Sequence, residues 1–430
     1  MSAEKHGGAR RYLLAALVVA VVAGLVTVGV TPLGAPRPQP AGAPAATFSA
    51  ARALGELRRV AATPHPIGSQ AEGEVRATIL ARLQALGLSP HVQTAGVVSQ
   101  EDGRVAGTVR NILARLPGSD PARTVLLVAH YDSVAVAPGA ADDGGGVATL
   151  LETARALAAG PPPRNDIVFL FTDGEEKGLL GARAFLRDDP WAYGVGVVLD
   201  FDSPGSSSPA LMYETTAGNG VLVGTLLGAG PPVFASSLMY EVARRQPVET
   251  DFRRFKAAGV PGMSFGALDG PADDHTGYDS LRTFRLASLQ HEGDTALALA
   301  RRFGAMDLWD LHAPDRVYFD VVGGYAVSYG AGPSGRSSGP RRRSSPRPSS
   351  QAGAAAASRC VASASACLHR RWCSASRSPS SASSGACTGR PTSSACGPTP
   401  GSWSATSTAW GWCCSPRPSS REPTGSCCAA

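Results

Sequence analysis

The sequence predicts an α/β fold with a mostly parallel central sheet and helices on both faces. Three observations predict it. Short apolar runs rich in β-formers, "TVLLVAHYDS", "NDIVFLFTDGEE" and "VGVVLDFDS", read as buried strands. Segments of helical apolar spacing alternate with them, which is the order of a parallel α/β sheet. Each run also ends in a polar cluster, "HYD", "DGEE" or "DFD", where such sheets collect ligands beyond the carboxyl ends of their strands.

The elements follow in order. Lys5, Arg10 and Arg11 precede an uncharged stretch from Tyr12 to Val30, close to the roughly 20 residues that cross a hydrocarbon core as a helix. A cleaved signal peptide has a shorter apolar core of about 7–15 residues, although small residues after Val30 offer cleavage sites. The expectation is an uncleaved transmembrane anchor over 12–30. The basic residues before it put residues 1–11 in the cytoplasm and the rest of the chain on the other side. Residues 31–47, rich in Pro, Ala and Gly, read as a linker.

A globular domain is expected over 48–329. Helices are predicted in "FSAARALGELRRVA" and in "AEGEVRATILARLQALGL", the second stopping at a glycine. "NILARLPG" and "TVLLVAHYDS" read as neighbouring strands. Then come the helix "VATLLETARALAAG", the strand "NDIVFLFTDGEE", the helix "GLLGARAFLRD" and the strand "VGVVLDFDS". "ALMYETT" reads as a further strand, and "DSLRTFRLASLQHEGDTALALARRFGAM" as one long helix.

From about residue 330 the composition changes to Ser, Arg, Pro, Ala and Cys without apolar periodicity. All nine cysteines lie in this tail, with twelve arginines against the single acid Glu422. The formal net charge of +6 therefore belongs to the tail, and the body before it is acidic. A nucleic-acid-binding body is not expected. The tail can be read as a disulfide-rich module, as a disordered basic arm, or as a GC-rich coding sequence read out of frame. The third reading is carried forward, and no functional residue is taken from 330–430.

The chemistry concentrates at the strand ends. His130 and Asp132 are two apart, so on a strand they share a face, which suits a metal-binding imidazole with a carboxylate to orient it. Asp142 and Asp143 stand in "GAADDGGG", whose glycines let backbone approach closely. Glu175 and Glu176 are adjacent; one can bind metal while the other serves as general base. Asp200 closes "VGVVLD", and His275 lies in the acidic stretch "DDHTGYDS". Histidines and carboxylates without a thiolate make a nitrogen and oxygen site that suits zinc.

The motifs "AHYDSV", "GAADDGGGVA", "FTDGEEKGLLGARAF" and "HTGYDS", in this order, resemble the zinc aminopeptidase family. The nearest likeness is to its membrane-anchored branch of endoplasmic-reticulum metallopeptidases and vacuolar membrane proteases, over about residues 48–329. The resemblance implies a zinc-exopeptidase-like fold and two zinc ions per chain. It implies one ion held by His130 and Asp200, the other by Glu176 and His275, and Asp142 bridging them with a cis Asp142–Asp143 peptide. Glu175 would be the general base and Asp132 would hold the imidazole of His130. Asp202 is a rival to Asp200. Asp274 stands where many members carry a tyrosine that hydrogen-bonds the developing oxyanion, and Tyr278 is a candidate substitute. The implied function is a membrane-anchored peptidase acting on peptide substrates, most simply an aminopeptidase. A glutaminyl-cyclase-like acyl transferase and a metal-free receptor or scaffold on the same fold are the alternatives.

Overall fold

In the computed structural model the structure describes residues 3–30, 36–99, 104–202, 209–245, 249–267, 273–322 and 324–331. Along the chain, helix α1 (Ala3–Val30) is followed by α2 (Ala50–Val60), α3 (Gln70–Ala85), β1 (His91–Ser99), β2 (Val105–Leu116) and β3 (Thr124–His130). Then come α4 (Gly144–Ala158), β4 (Asp166–Thr172), α5 (Leu180–Asp188), β5 (Val195–Phe201) and β6 (Leu211–Thr215). Next are α6 (Gly220–Leu227), α7 (Ser237–Ala243), α8 (Phe252–Ala257) and β7 (Gly262–Gly266). Helix α9 (Leu286–Ala305) and the hairpin β8 (Arg316–Val322) and β9 (Tyr325–Gly330) follow.

Seven strands form one sheet in the order β1-β2-β4-β3-β5-β7-β6. The middle four, β4, β3, β5 and β7, are parallel, and the outer pairings are antiparallel. The mixed α/β architecture with a mostly parallel centre is therefore as expected. One neighbour relation differs: β2 does not pair with β3, because β4 lies between them. The crossover through α4 carries the chain back over β3, and β4 fills the place beside β2.

Strand alternation divides the core in two. Val125, Leu127, Ala129, Ile167, Phe169 and Phe171 pack on the side of α2, α4 and α9. The intervening Leu126, Val128, Val168 and Leu170 pack on the other side with Phe185 of α5 and with Phe252 and Phe255 of α8. Apolar side chains on both faces explain why these strands read as continuous apolar runs. With the sheet covered on both faces, its buried polar groups cluster at the carboxyl ends of β3, β4 and β5.

The entry into α4 is tightly packed. Asp143 caps the helix, its side chain accepting from the Gly146 N–H at 2.9 Å. A Cβ on Gly146 would lie 2.4 Å from the carbonyl oxygen of Phe201 and from Asp143 Oδ1, so no other residue fits. Gly146→Ala is expected to lower stability by about 1–3 kcal/mol through overpacking, read from the midpoint of denaturant unfolding.

Residues 36–47, expected as a linker, lie on the domain surface, held by arginines. Arg52 Nη1 donates to the carbonyls of Ala41 and Ala43, and Arg155 Nη1 to that of Ala45. Both guanidinium groups pair with the buried Glu152 at 2.7–2.8 Å.

The side chains of α1 that the structure describes, those of residues 13–26, are all exposed. Among the described residues no helix is long and apolar enough to cross a membrane. The predicted tail, beyond residue 331, lies outside the described residues.

Candidate metal centre

His130 is the last residue of β3 and is buried. Its Nδ1 lies 2.9 Å from the main-chain carbonyl of Asp132 and 3.6 Å from Asp132 Oδ1. A carbonyl can only accept, so Nδ1 donates to it, which leaves Nε2 as the nitrogen turned to the centre. That Nε2 faces Asp142 Oδ1 at 3.0 Å and Asp202 Oδ1 at 3.8 Å. The expected orienting role of Asp132 thus falls first to its backbone oxygen, with the carboxylate behind it.

Asp142 turns its other oxygen the opposite way: Oδ2 lies 3.1 Å from His275 Nε2. Glu176 Oε2 lies 3.2 Å from the same nitrogen. One carboxylate therefore stands between two imidazoles. The peptide joining Asp142 to Asp143 is cis. His275 adopts a left-handed backbone, φ 53°, a conformation that non-glycine residues favour little and that is found where a functional side chain must be aimed.

The loop after β4 is fixed from beneath. Asp132 Oδ1 accepts from the N–H groups of Gly174 and Glu175 at 2.8 and 3.0 Å. Asp132 therefore links the strand of His130 to the loop that carries both glutamates. Glu175 is buried beside His130, and Glu176 is directed at His275.

Asp200 and Asp202 are separated by strand register. β3 and β5 are parallel with Val128 opposite Asp200, so two residues further on His130 is level with Asp202. Asp200 remains inside β5, opposite Ser264 of β7, and its Oδ2 accepts from Ser264 Oγ at 2.8 Å. Asp202, just past the strand end, reaches the centre. His130, Asp142 and Asp202 offer ligand atoms within 4.8 Å of one another, as do Asp142, Asp274 and His275. Asp142 belongs to both groups. Asp274 is exposed at the mouth of the site, and Tyr278 is exposed on the same loop.

One residue with a structural part in the centre was not assigned from the sequence. Asp279 is buried, and its two oxygens accept from the N–H groups of Ala141 and Asp142 at 2.6 and 3.1 Å. It ties the loop of His275 to the loop of Asp142. The signal was present in "HTGYDS", four residues past the histidine, but a carboxylate that acts through main-chain N–H groups has no ligand-like spacing. Asp279→Asn puts an amide donor against one of those N–H groups. The expected loss is about 1–3 kcal/mol of stability, checked by urea unfolding.

The electrostatics describe a place built for positive charge. Burial, with neighbouring carboxylates adding to it, holds Glu175, Asp143 and Asp202 well above the usual carboxylate range and raises Glu176 to about 7. Burial also opposes ionisation of Asp142, but hydrogen bonds to His130 and His275 outweigh it and bring this carboxyl below its ordinary value. His275 is raised to about 9, first by its hydrogen bond to Asp142. Two imidazoles are too few to balance so many acids. Glu176 Oε1 and Asp132 Oδ2 are buried and, among the described residues, without a hydrogen-bond partner. The donor set, two histidine nitrogens with clustered carboxylate oxygens, fits zinc.

Residues 111–300 match the profile of Peptidase family M28. Endoplasmic reticulum metallopeptidase 1 of Rattus norvegicus is 32% identical over 230 residues, 51% of this chain and 26% of the relative. The vacuolar membrane protease of Yarrowia lipolytica is 28% identical over 333 residues, 72% of this chain and 33% of the relative. The chain thus spans about a quarter to a third of the length of these relatives. An aminopeptidase from Aneurinibacillus sp. strain AM-1 superposes with a TM-score of 0.52 at 15% identity, over 63% of this chain and 98% of that one, and shares the fold. β3, β4 and β5 deliver their polar ends to one centre, and that centre lies within residues 111–300, the part of the chain that is similar to Peptidase family M28.

Proposed function

We propose that the chain is a two-zinc metallopeptidase that releases N-terminal residues from peptides. In this reading α1 anchors it in a membrane, with the peptidase domain on the non-cytoplasmic side. The observation that carries the reading is Asp142, whose two carboxylate oxygens face two different histidines at 3.0 and 3.1 Å. His130 and Asp202 would hold one ion, Glu176 and His275 the other, with Asp142 between them. Bound zinc supplies a lowered water pKa and polarisation of a carbonyl oxygen.

The chain's own residues do the rest. Glu175 is buried and within the electrostatic reach of His130. It takes the proton from the attacking water and returns it to the leaving amine. Burial raises its proton affinity, in the direction that suits a group which must accept a proton and then give it back. Asp132 holds His130 in one tautomer through its carbonyl and places Glu175 through the N–H it accepts. Asp279 holds the Asp142 backbone. Asp200, directed at Ser264, supports the strand.

Membrane attachment is supported by α1, whose residues 13–26 are exposed throughout, and by the names of the relatives. The activity is tested with a panel of free and N-acetylated peptides, with and without a chelator. Free peptides should lose their first residue, acetylated ones should stay intact, and chelation should stop the reaction. Equal cleavage of acetylated peptides would remove the aminopeptidase reading.

A further inference from the structure

The β8–β9 hairpin forms its own two-stranded sheet, and its two faces differ. On the inner face Tyr318 is buried, with its hydroxyl against Met212 Sδ at 3.9 Å, and Ala326 and Ser328 are half-buried. On the outer face Val317 pairs across with Tyr329 and Phe319 with Val327. Val321 and Tyr325 continue this face toward the turn. Phe319 is 37% exposed, Val321 51%, Tyr325 78%, Val327 43% and Tyr329 55%. A two-stranded sheet with one face on the core ordinarily turns polar residues to water. This one turns out six apolar or aromatic side chains and no charge, and a contiguous patch of that kind marks an interaction surface.

The neighbouring element indicates what covers it. Helix α1 passes alongside β8. Its residues 13–26 are apolar on every side and exposed at every position, the pattern of a helix whose solvent is lipid rather than a protein groove. Tyrosines at both ends of β9 are the side chains that settle at a membrane–water boundary, ring in the apolar layer and hydroxyl in water. We infer that the outer face of the β8–β9 hairpin docks on the lipid surface beside α1, so that the domain lies against the membrane instead of swinging free of it. This rests on the reading of α1 as a membrane anchor.

The test uses the full chain reconstituted in phosphatidylcholine and phosphatidylserine vesicles doped with a carbene-generating phospholipid, with labelled residues located by mass spectrometry. Label is expected in α1 and in the 316–330 peptide, and not at Tyr193, which is 84% exposed. The joint substitution Tyr325→Ser, Val327→Ser and Tyr329→Ser should bring hairpin labelling down to the Tyr193 level while α1 stays labelled; circular dichroism checks that the fold is kept. If α1 is labelled and the native hairpin is not, the docking is wrong and the anchor stands. If neither is labelled, the anchor reading fails and the docking with it. A hairpin shielded from both the lipid probe and a water-soluble carbene, in a dimeric chain, would mean that a second copy covers the face and would overturn the inference.

Discussion

Glu175→Gln is expected to keep the metal content of the native chain and to lower turnover by roughly 10²–10⁴-fold, the range for loss of acid–base catalysis. Glu175 and Glu176 are adjacent and chemically identical, yet the loop after β4 gives them different surroundings. The Glu175 N–H is bound by Asp132 and its side chain is buried beside His130, whereas Glu176 Oε2 lies 3.2 Å from His275 Nε2. Glu176→Gln should therefore weaken one zinc site, and activity should recover at least in part as zinc is raised. Zinc content and rate, measured for both variants across a zinc titration, separate the two. Metal loss in Glu175→Gln with none in Glu176→Gln would reverse the assignment.

Asp202→Asn should lose one zinc and nearly all activity, whereas Asp200→Asn should keep both ions. Register separates the two: His130 is level with Asp202, and the Asp200 carboxylate is bound to Ser264 Oγ. Asp200 is buried, and that burial with neighbouring acids raises its carboxyl above the usual range. Zinc content per folded chain is the readout, with unfolding midpoints to separate metal loss from misfolding. A chain that loses zinc through Asp200→Asn and keeps it through Asp202→Asn would restore the sequence-based choice of ligand.

That pair also shows where sequence reading stops. The parallel centre was legible because β3, β4 and β5 are covered on both faces and so carry continuous apolar runs. Edge strand β1 was not, because "HVQTAGVVS" is largely exposed and mixes polar and apolar residues. Strand β7 is only five residues long and contains two glycines. His130, Asp142, Glu176 and His275 were legible as residue types at strand ends and in glycine-rich or acidic loops, and the structure brings all four together. Asp200 and Asp202 share a face by strand period, so only the register of β5 against β3 tells them apart, and register is a tertiary property. Asp279 escaped for a related reason, since it serves two main-chain N–H groups of a loop 137 residues away. The order β2-β4-β3 could not be read either, because a crossover can place the returning strand on either side of the one it left.

The central claim is that Asp142 stands between two metal sites. Its most direct test is the number of zinc ions held by each folded chain, counted by native mass spectrometry after zinc is supplied and excess removed. The account predicts two for the native chain and a loss at both sites for Asp142→Ala, with the fold retained. A native chain that holds one ion or none, or an Asp142→Ala chain that still holds two, would contradict it.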